Sequence, residues 1–238
     1  LASTPFSYHD LLETFAQPGC AVCNLLLRDT DRFIDSLLYE YVTGSHIQNA
    51  FRRARGLCNE HSWRLVHYQG GALNIAVLVQ VTLDEVLRIL KQQPDAASPS
   101  WFDWLRRTNG EASALADALE PEVSCMVCDS LANGERHYVE TISQYLGDER
   151  FQKAYRESDG LCLPHFRRVL RETRLPDDVQ RLVGIQTAIW SKLWADLETF
   201  KAKYDFNKAG EPMGEEGDSW LRAIARLAGE KGIFGVRR

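Results

Sequence analysis

The chain has 238 residues, 45% of them hydrophobic, with 28 Lys and Arg against 33 Asp and Glu and a formal net charge of −5. That length can bury a substantial core without help from a metal. The charge argues against a basic nucleic-acid module in either half, since residues 1–118 hold 10 basic and 13 acidic side chains and residues 119–238 hold 18 and 20.

Helical periodicity dominates and strand alternation is almost absent. Tyr8 to Ala16 reads as a short amphipathic helix that ends at Pro18-Gly19. A long helix is expected from about Val22 to Val42, with Leu26, Phe33, Ile34, Leu37, Leu38 and Tyr41 on one face and a stop near Gly44. A short helix from about His46 to Arg55 follows, with Gly56 placed as its C-cap. From Cys58 another helix runs to about Tyr68 and breaks at Gly70-Gly71. The pattern resumes over Ala72 to Gln92, where Ile75, Val79, Leu83, Val86 and Leu90 recur at spacings of three and four, and Pro94 and Pro99 end it. Within it, the most apolar stretch, Ala72 to Leu83, is interrupted by Asn74 and Gln80 and followed by Asp84-Glu85, so no transmembrane segment is expected.

The second half repeats this plan. Phe33-Ile34 corresponds to Tyr138-Val139, Leu37 to Ile142, Ile47 to Phe151, Ala50-Phe51 to Ala154-Tyr155, and Val79-Gln80 to Ile185-Gln186. A long helix is expected from about Pro176 to Tyr204, followed by an exposed loop over residues 205–218. Trp101-Phe102-Asp103-Trp104-Leu105-Arg106 and Ser219-Trp220-Leu221-Arg222 suggest that each repeat ends in a Trp-anchored helix. The tail from Gly229 is expected to fray. The reading is an all-α protein of two tandem, pseudo-symmetric repeats packed into one body, residues 1–120 and 121–238, with the boundary near Glu120-Pro121.

All six cysteines fall into two copies of one pattern: Cys20-x-x-Cys23 … Gly56-Leu57-Cys58-x-x-His61, and Cys125-x-x-Cys128 … Gly160-Leu161-Cys162-x-x-His165. The pairs are separated by 34 residues in the first copy and 33 in the second. With only 6 histidines in the chain, one at the same offset after both Cys58 and Cys162 has odds of about one in a thousand by chance. Ligands at i and i+3 near a helix start lie on one face, so each pair can offer two donors to one ion and two pairs complete a tetrahedron. A Cys3His zinc site in each repeat, two zinc ions per chain, is the expectation. Intra-repeat sets are the simpler pairing, because each copy holds a complete set; Cys20 and Cys23 joining Cys162 and His165 is the alternative.

Other uses of the cysteines fit less well. Disulfides do not require matched histidines, and residues 1–19 lack a secretory signal, so a cytoplasmic location with reduced cysteines is expected. No βαβ pattern surrounds either Cys-x-x-Cys, and Asn24 and Asp129 stand where c-type haem attachment needs His. An iron–sulfur cluster or a thiol-based redox role is the alternative to zinc.

Four protein ligands leave no open coordination position, which favours a structural site over hydrolytic catalysis. Arg53, Arg55 and Arg64 flank the first motif and Arg156, Arg167, Arg168 and Arg171 the second. Compensation of the negative metal centre is preferred for them over a nucleic-acid surface. His9, His46, His67 and His137 have no matched partners and are expected in ordinary surface or core roles, and Trp190 and Trp194 as core anchors. There is no Gly-rich phosphate loop, nucleophile elbow or His-Glu-x-x-His. A non-catalytic scaffold that binds a protein or small-molecule partner is therefore expected, with nucleic acid the disfavoured partner and no membrane.

The doubled Cys-x-x-Cys … Gly-Leu-Cys-x-x-His arrangement, with Glu215-Glu216-Gly217-Asp218-Ser219-Trp220-Leu221-Arg222-Ala223-Ile224, resembles an uncharacterised family of bacterial helical proteins over residues 8–229. The resemblance implies the doubled motif as a family feature and no biochemical activity.

Overall fold

The structure, a computed structural model, describes residues 4–68, 70–91, 109–204 and 212–234. Among these residues there are eleven α-helices and no strand. They are α1 (Phe6–Phe15), α2 (Ala21–Ser36, continued by a π-helical turn, Leu37–Tyr41), α3 (Ser45–Arg53), α4 (Asn59–Leu65), α5 (Ala72–Lys91), α6 (Asn109–Leu119), α7 (Met126–Tyr145), α8 (Glu149–Glu157), α9 (Leu163–Glu172), α10 (Pro176–Ala202) and α11 (Ser219–Ala228), the last preceded by a 3-10 turn at Glu215–Asp218. Among the described residues no helix is long and apolar enough to cross a membrane. The segment 101–106, expected as a Trp-anchored helix, lies outside the described residues, as do Pro94 and Pro99.

The chain divides into two compact units, Leu1–Asp29 with Leu131–Arg238, and Thr30–Ser130. The division falls inside α2 and inside α7, so the units do not coincide with residues 1–120 and 121–238.

The larger unit is built on aromatic packing. Phe15 of α1 stacks on Tyr155 of α8 at 5.3 Å, and Tyr8 stacks on Phe151 at 5.7 Å. Leu11, Leu25, Ile142, Leu146, Leu161 and Leu182 fill the space around them, all fully buried. Each such side chain contributes roughly 1.5–3 kcal/mol by leaving water. Asp148 caps α8, its carboxylate accepting from the Phe151 amide at 2.7 Å, and Pro164 and Pro176 sit in the first turns of α9 and α10, where no amide hydrogen is needed.

Three expectations change in this unit. Trp194 is 65% exposed, while Trp190 packs edge-on against Phe166 at 5.3 Å. Trp220 is also largely exposed and does not anchor α11; the buried residues of that helix are Ser219 and Arg226. The tail does not fray over 229–234, since Ile233 and Phe234 pack against the core.

The unit Thr30–Ser130 buries Ile34, Leu37, Leu38, Ile47, Phe51, Leu65, Leu78 and Ile89. At the end of α3 the amide of Gly56 donates to the Phe51 carbonyl at 2.8 Å and that of Arg55 to Arg52 at 3.2 Å, a Schellman closure. The cap residue is thus Arg55, with φ of 55°, one position earlier than expected, and Gly56 follows at φ of 94°. Arg55 is held there by its own guanidinium, which donates to the Arg52 carbonyl at 2.7 Å. The apolar stripe of α5 is partly uncovered. Val79 and Leu83 are each 53% exposed, and the buried line is set by Leu78 and Ile89. The stripe instead lines an apolar cavity of about 420 Å³ with Phe51, Leu57, Trp63 and Val66.

Candidate metal centres

Each of the four ligand pairs opens a helix. Cys20, Cys58, Cys125 and Cys162 stand immediately before α2, α4, α7 and α9, and their carbonyls accept the first helical hydrogen bonds, from Asn24, Ser62, Asp129 and Phe166 at 2.8–3.1 Å. The partner residue, Cys23, His61, Cys128 or His165, is three positions on. Cys58 and Cys162 have extended backbone and make no side-chain cap bond, so their sulfurs face away from the amides and toward the other ligands. The positive helix N-terminus favours the thiolate over the thiol.

The structure brings together all eight residues singled out in the sequence, in two groups: Cys20, Cys23, Cys162 and His165, and Cys58, His61, Cys125 and Cys128. This corrects the intra-repeat pairing, because each group takes its Cys-x-x-Cys from one copy and its Cys-x-x-His from the other. The division of the chain separates the two pairs of each copy: Cys20 and Cys23 lie in the unit of Leu1–Asp29 with Leu131–Arg238 and Cys58 and His61 in Thr30–Ser130, while Cys125 and Cys128 lie in the latter and Cys162 and His165 in the former. Each group thus lies within a single compact unit.

In the first group His165 Nδ1 lies 3.4 Å from Cys20 Sγ, 3.4 Å from Cys23 Sγ and 3.2 Å from Cys162 Sγ, and the sulfurs of Cys23 and Cys162 are 3.7 Å apart. All four side chains are fully buried. Burial opposes ionisation of Cys20, but hydrogen bonds from Cys162, Cys23 and His165 outweigh it and hold its thiol well below the usual range. Cys23 is pushed up by its hydrogen bonds to Cys162 and Cys20 and by burial. Its contacts with Cys162, Cys20 and Glu135 raise His165 against the effect of its burial. By itself the cage thus stabilises one thiolate beside a protonated imidazole; a divalent cation would replace those protons and let all three sulfurs ionise.

Three residues not singled out in the sequence shape this cage. Glu135 Oε1 lies 3.0 Å from His165 Nε2, and its other oxygen pairs with Arg168. That carboxylate sits where it would keep the proton of a neutral imidazole on Nε2 and leave Nδ1 to ligate, although the two atoms are close without being aligned as a hydrogen bond. Asp159 accepts from the Gly19 amide at 2.9 Å and from Arg226 at 2.7 Å, tying the loop before Cys20 to the loop before Cys162. Gln186, fully buried on α10, accepts from the Leu161 amide at 3.0 Å and the Tyr155 hydroxyl at 2.5 Å, and donates to the Leu161 carbonyl at 3.2 Å. The tail closes the cage, with the Phe234 ring 5.0 Å from the His165 ring.

In the second group His61 Nδ1 lies 3.2 Å from Cys58 Sγ, 3.6 Å from Cys125 Sγ and 3.4 Å from Cys128 Sγ, with Cys58 and Cys128 sulfurs 3.7 Å apart. The geometry matches the first cage, but the setting does not. Cys58 and Cys125 are half-buried and Cys128 is exposed. Burial lowers His61, keeping the imidazole neutral, and raises the thiols of Cys125 and Cys128. Glu122 braces the two loops here, pairing with Arg53 at 3.1 Å and Arg55 at 3.3 Å, while its amide donates to the Arg53 carbonyl at 2.9 Å.

The flanking arginines are for the most part spoken for. Arg53 and Arg55 pair with Glu122, Arg64 with Asp31 at 2.6 Å, Arg168 with Glu135, and Arg156 donates to Gln152 at 2.6 Å; Arg167 and Arg171 are exposed. His9 Nε2 hydrogen-bonds the Thr4 hydroxyl at 2.9 Å.

A curated relative is the uncharacterized 23.9 kDa protein in the xynA 3' region of Caldicellulosiruptor sp. (strain Rt8B.4), 24% identical over 221 residues that cover 92% of this chain and 99% of the relative. No solved structure matches the chain. The model of a family of unknown function, DUF6062, matches residues 10–232, so the two closed Cys3His groups stand in a chain that belongs to that family.

Proposed function

We propose that the protein is a zinc-stabilised, non-catalytic helical scaffold whose two Cys3His groups each hold one structural zinc ion. The carrying observation is the size and closure of the cages. A tetrahedral zinc with sulfur at about 2.3 Å and nitrogen at about 2.0 Å sets S–S edges of about 3.8 Å and S–N edges of about 3.5 Å, and the ligand atoms stand 3.2–3.7 Å apart in eight pairs. In both groups all four lie within 4.8 Å of one another. Ligands of a multi-iron cluster splay around several metal atoms, on the order of 6 Å apart, so the spacing favours a single ion. Four protein donors around it leave no place for a reacting water.

The duplicated motif and the same cap position at four helix starts support a pseudo-symmetric origin for the two halves, in which the repeats exchange ligand pairs. All six cysteines are free, which suits a reducing, cytoplasmic setting. The partner is a protein or small molecule, and the apolar cavity beside Trp63 supports such a binding role. The internal pairing of the motif-flanking arginines weighs against nucleic acid. Elemental analysis of anaerobically purified protein tests the reading: two zinc per chain and a colourless sample are expected, while a brown sample with iron, or robust turnover in a substrate screen, would overturn it.

A further inference from the structure

We infer that Cys128 is an oxidation site for peroxides, and that its reaction with Cys58 discharges the second metal while the first is retained. The inference rests on the zinc reading. The two cages have the same donors and the same spacing, yet all four ligands of the first are fully buried, with Phe234 against His165, and Cys128 of the second is exposed. The Cys58 sulfur, itself half-buried, waits 3.7 Å from that of Cys128. An accessible sulfur with a second sulfur in contact is the arrangement that converts a first oxidation into a disulfide.

The chemistry balances without a further reagent. The Cys128 thiolate, ionised by its metal bond, attacks one peroxide oxygen; the O–O bond breaks, leaving a sulfenic acid on Cys128 and releasing hydroxide. The Cys58 thiolate then attacks the Cys128 sulfur, forming the S–S bond and expelling a second hydroxide. Two protons from solvent turn both hydroxides into water. Two thiolates have lost two electrons and hydrogen peroxide has gained them. The ion, left with Cys125 and His61 alone, has lost half its donors and dissociates. In the first cage Cys23 and Cys162 are also 3.7 Å apart, but peroxide has no path to them. Access, not ligand chemistry, makes the difference.

The test exposes zinc-loaded full-length protein to hydrogen peroxide, follows released zinc with a chromogenic chelator, and maps the cysteines by mass spectrometry. One of two zinc equivalents should be released, with a Cys58–Cys128 disulfide and with Cys20, Cys23 and Cys162 still reduced, as shown by their alkylation after denaturation in chelator. A reductant plus zinc should restore the second equivalent. Cys128→His keeps a nitrogen donor in place of the sulfur and should slow release by about tenfold or more. Loss of both equivalents together, oxidation of Cys20 or Cys162 first, or retention of both ions would each overturn the inference and leave the zinc reading standing. Fewer than two zinc before peroxide is added would overturn the zinc reading itself. If the histidine variant does not hold its metal, the disulfide map of the unsubstituted protein decides.

Discussion

Glu135 Oε1 stands 3.0 Å from His165 Nε2, on the side of the imidazole opposite the three sulfurs. With a metal in the cage, a buried carboxylate there would keep the one remaining imidazole proton on Nε2 and leave Nδ1, which faces the sulfurs, to ligate. Glu135→Gln keeps the shape and removes the charge, and it should weaken metal binding at this site about 10- to 100-fold. Chelator competition on the purified variant measures it. An unchanged affinity would reduce Glu135 to a partner of Arg168 alone.

Pairing across the two copies has a consequence that pairing within a copy cannot share. Cys23→Ser with Cys162→Ser strikes one cage twice and should leave about one metal per chain. Cys23→Ser with Cys58→Ser strikes both cages and should leave close to none. Pairing within a copy reverses the two outcomes, so metal content of the two double variants decides between them.

The eight ligands are plain in the sequence because i, i+3 pairs at helix starts are a local property, and their identity survives any tertiary arrangement. Their pairing is not local. Gaps of 34 and 33 residues look alike under either partition, and only the path of the chain between the two compact units separates them. Glu135 did leave a trace, two turns after Cys128 and hence on one face of α7, but a single carboxylate at that spacing is commonplace on exposed helices. Gln186 is hidden in the repeat as a match to Gln80, among apolar neighbours whose periodicity says nothing of a polar clasp. The stripe from Ile75 to Leu90 announces a helix correctly, but periodicity identifies an apolar face without naming what covers it.

Gly160 precedes the Cys162 ligand with φ of 76°, and a Cβ there would stand 2.7 Å from Gln186 Nε2. Gly160→Ala therefore forces a left-handed alanine and displaces the side chain that holds the Leu161 backbone. A loss of about 1–3 kcal/mol is expected, read as a lower melting temperature in the metal-loaded protein. Gly147, around which a Cβ would meet nothing within 4 Å, serves as the comparison: Gly147→Ala should cost much less.

Phe234 lies against His165 and closes the first cage, although it stands only four residues from the end of the sequence. Phe234→Ala should cost about 1–3 kcal/mol through lost burial. Its sharper effect should be kinetic, with a chelator stripping the first metal faster than in the unsubstituted protein. Equal stripping rates would mean that the tail covers the cage without guarding it.

His61 gives the second cage a pH dependence whose sign follows from burial. Its proton affinity is lowered below the ordinary value of 6.5. A histidine lowered in the folded state contributes stability that is present above its unfolded value and is lost as the pH falls through the folded one. Metal binding adds the same sign, since the ion requires a neutral imidazole and ionised sulfurs. Lowering the pH from about 7.5 to about 5 should therefore reduce metal content and melting temperature together. The half-buried second cage should empty first, because water and buffer reach Cys128 directly. Zinc content after equilibration at each pH, with the cysteines alkylated to show which cage has opened, gives the order; an emptying that begins at Cys20 and Cys162 would contradict it.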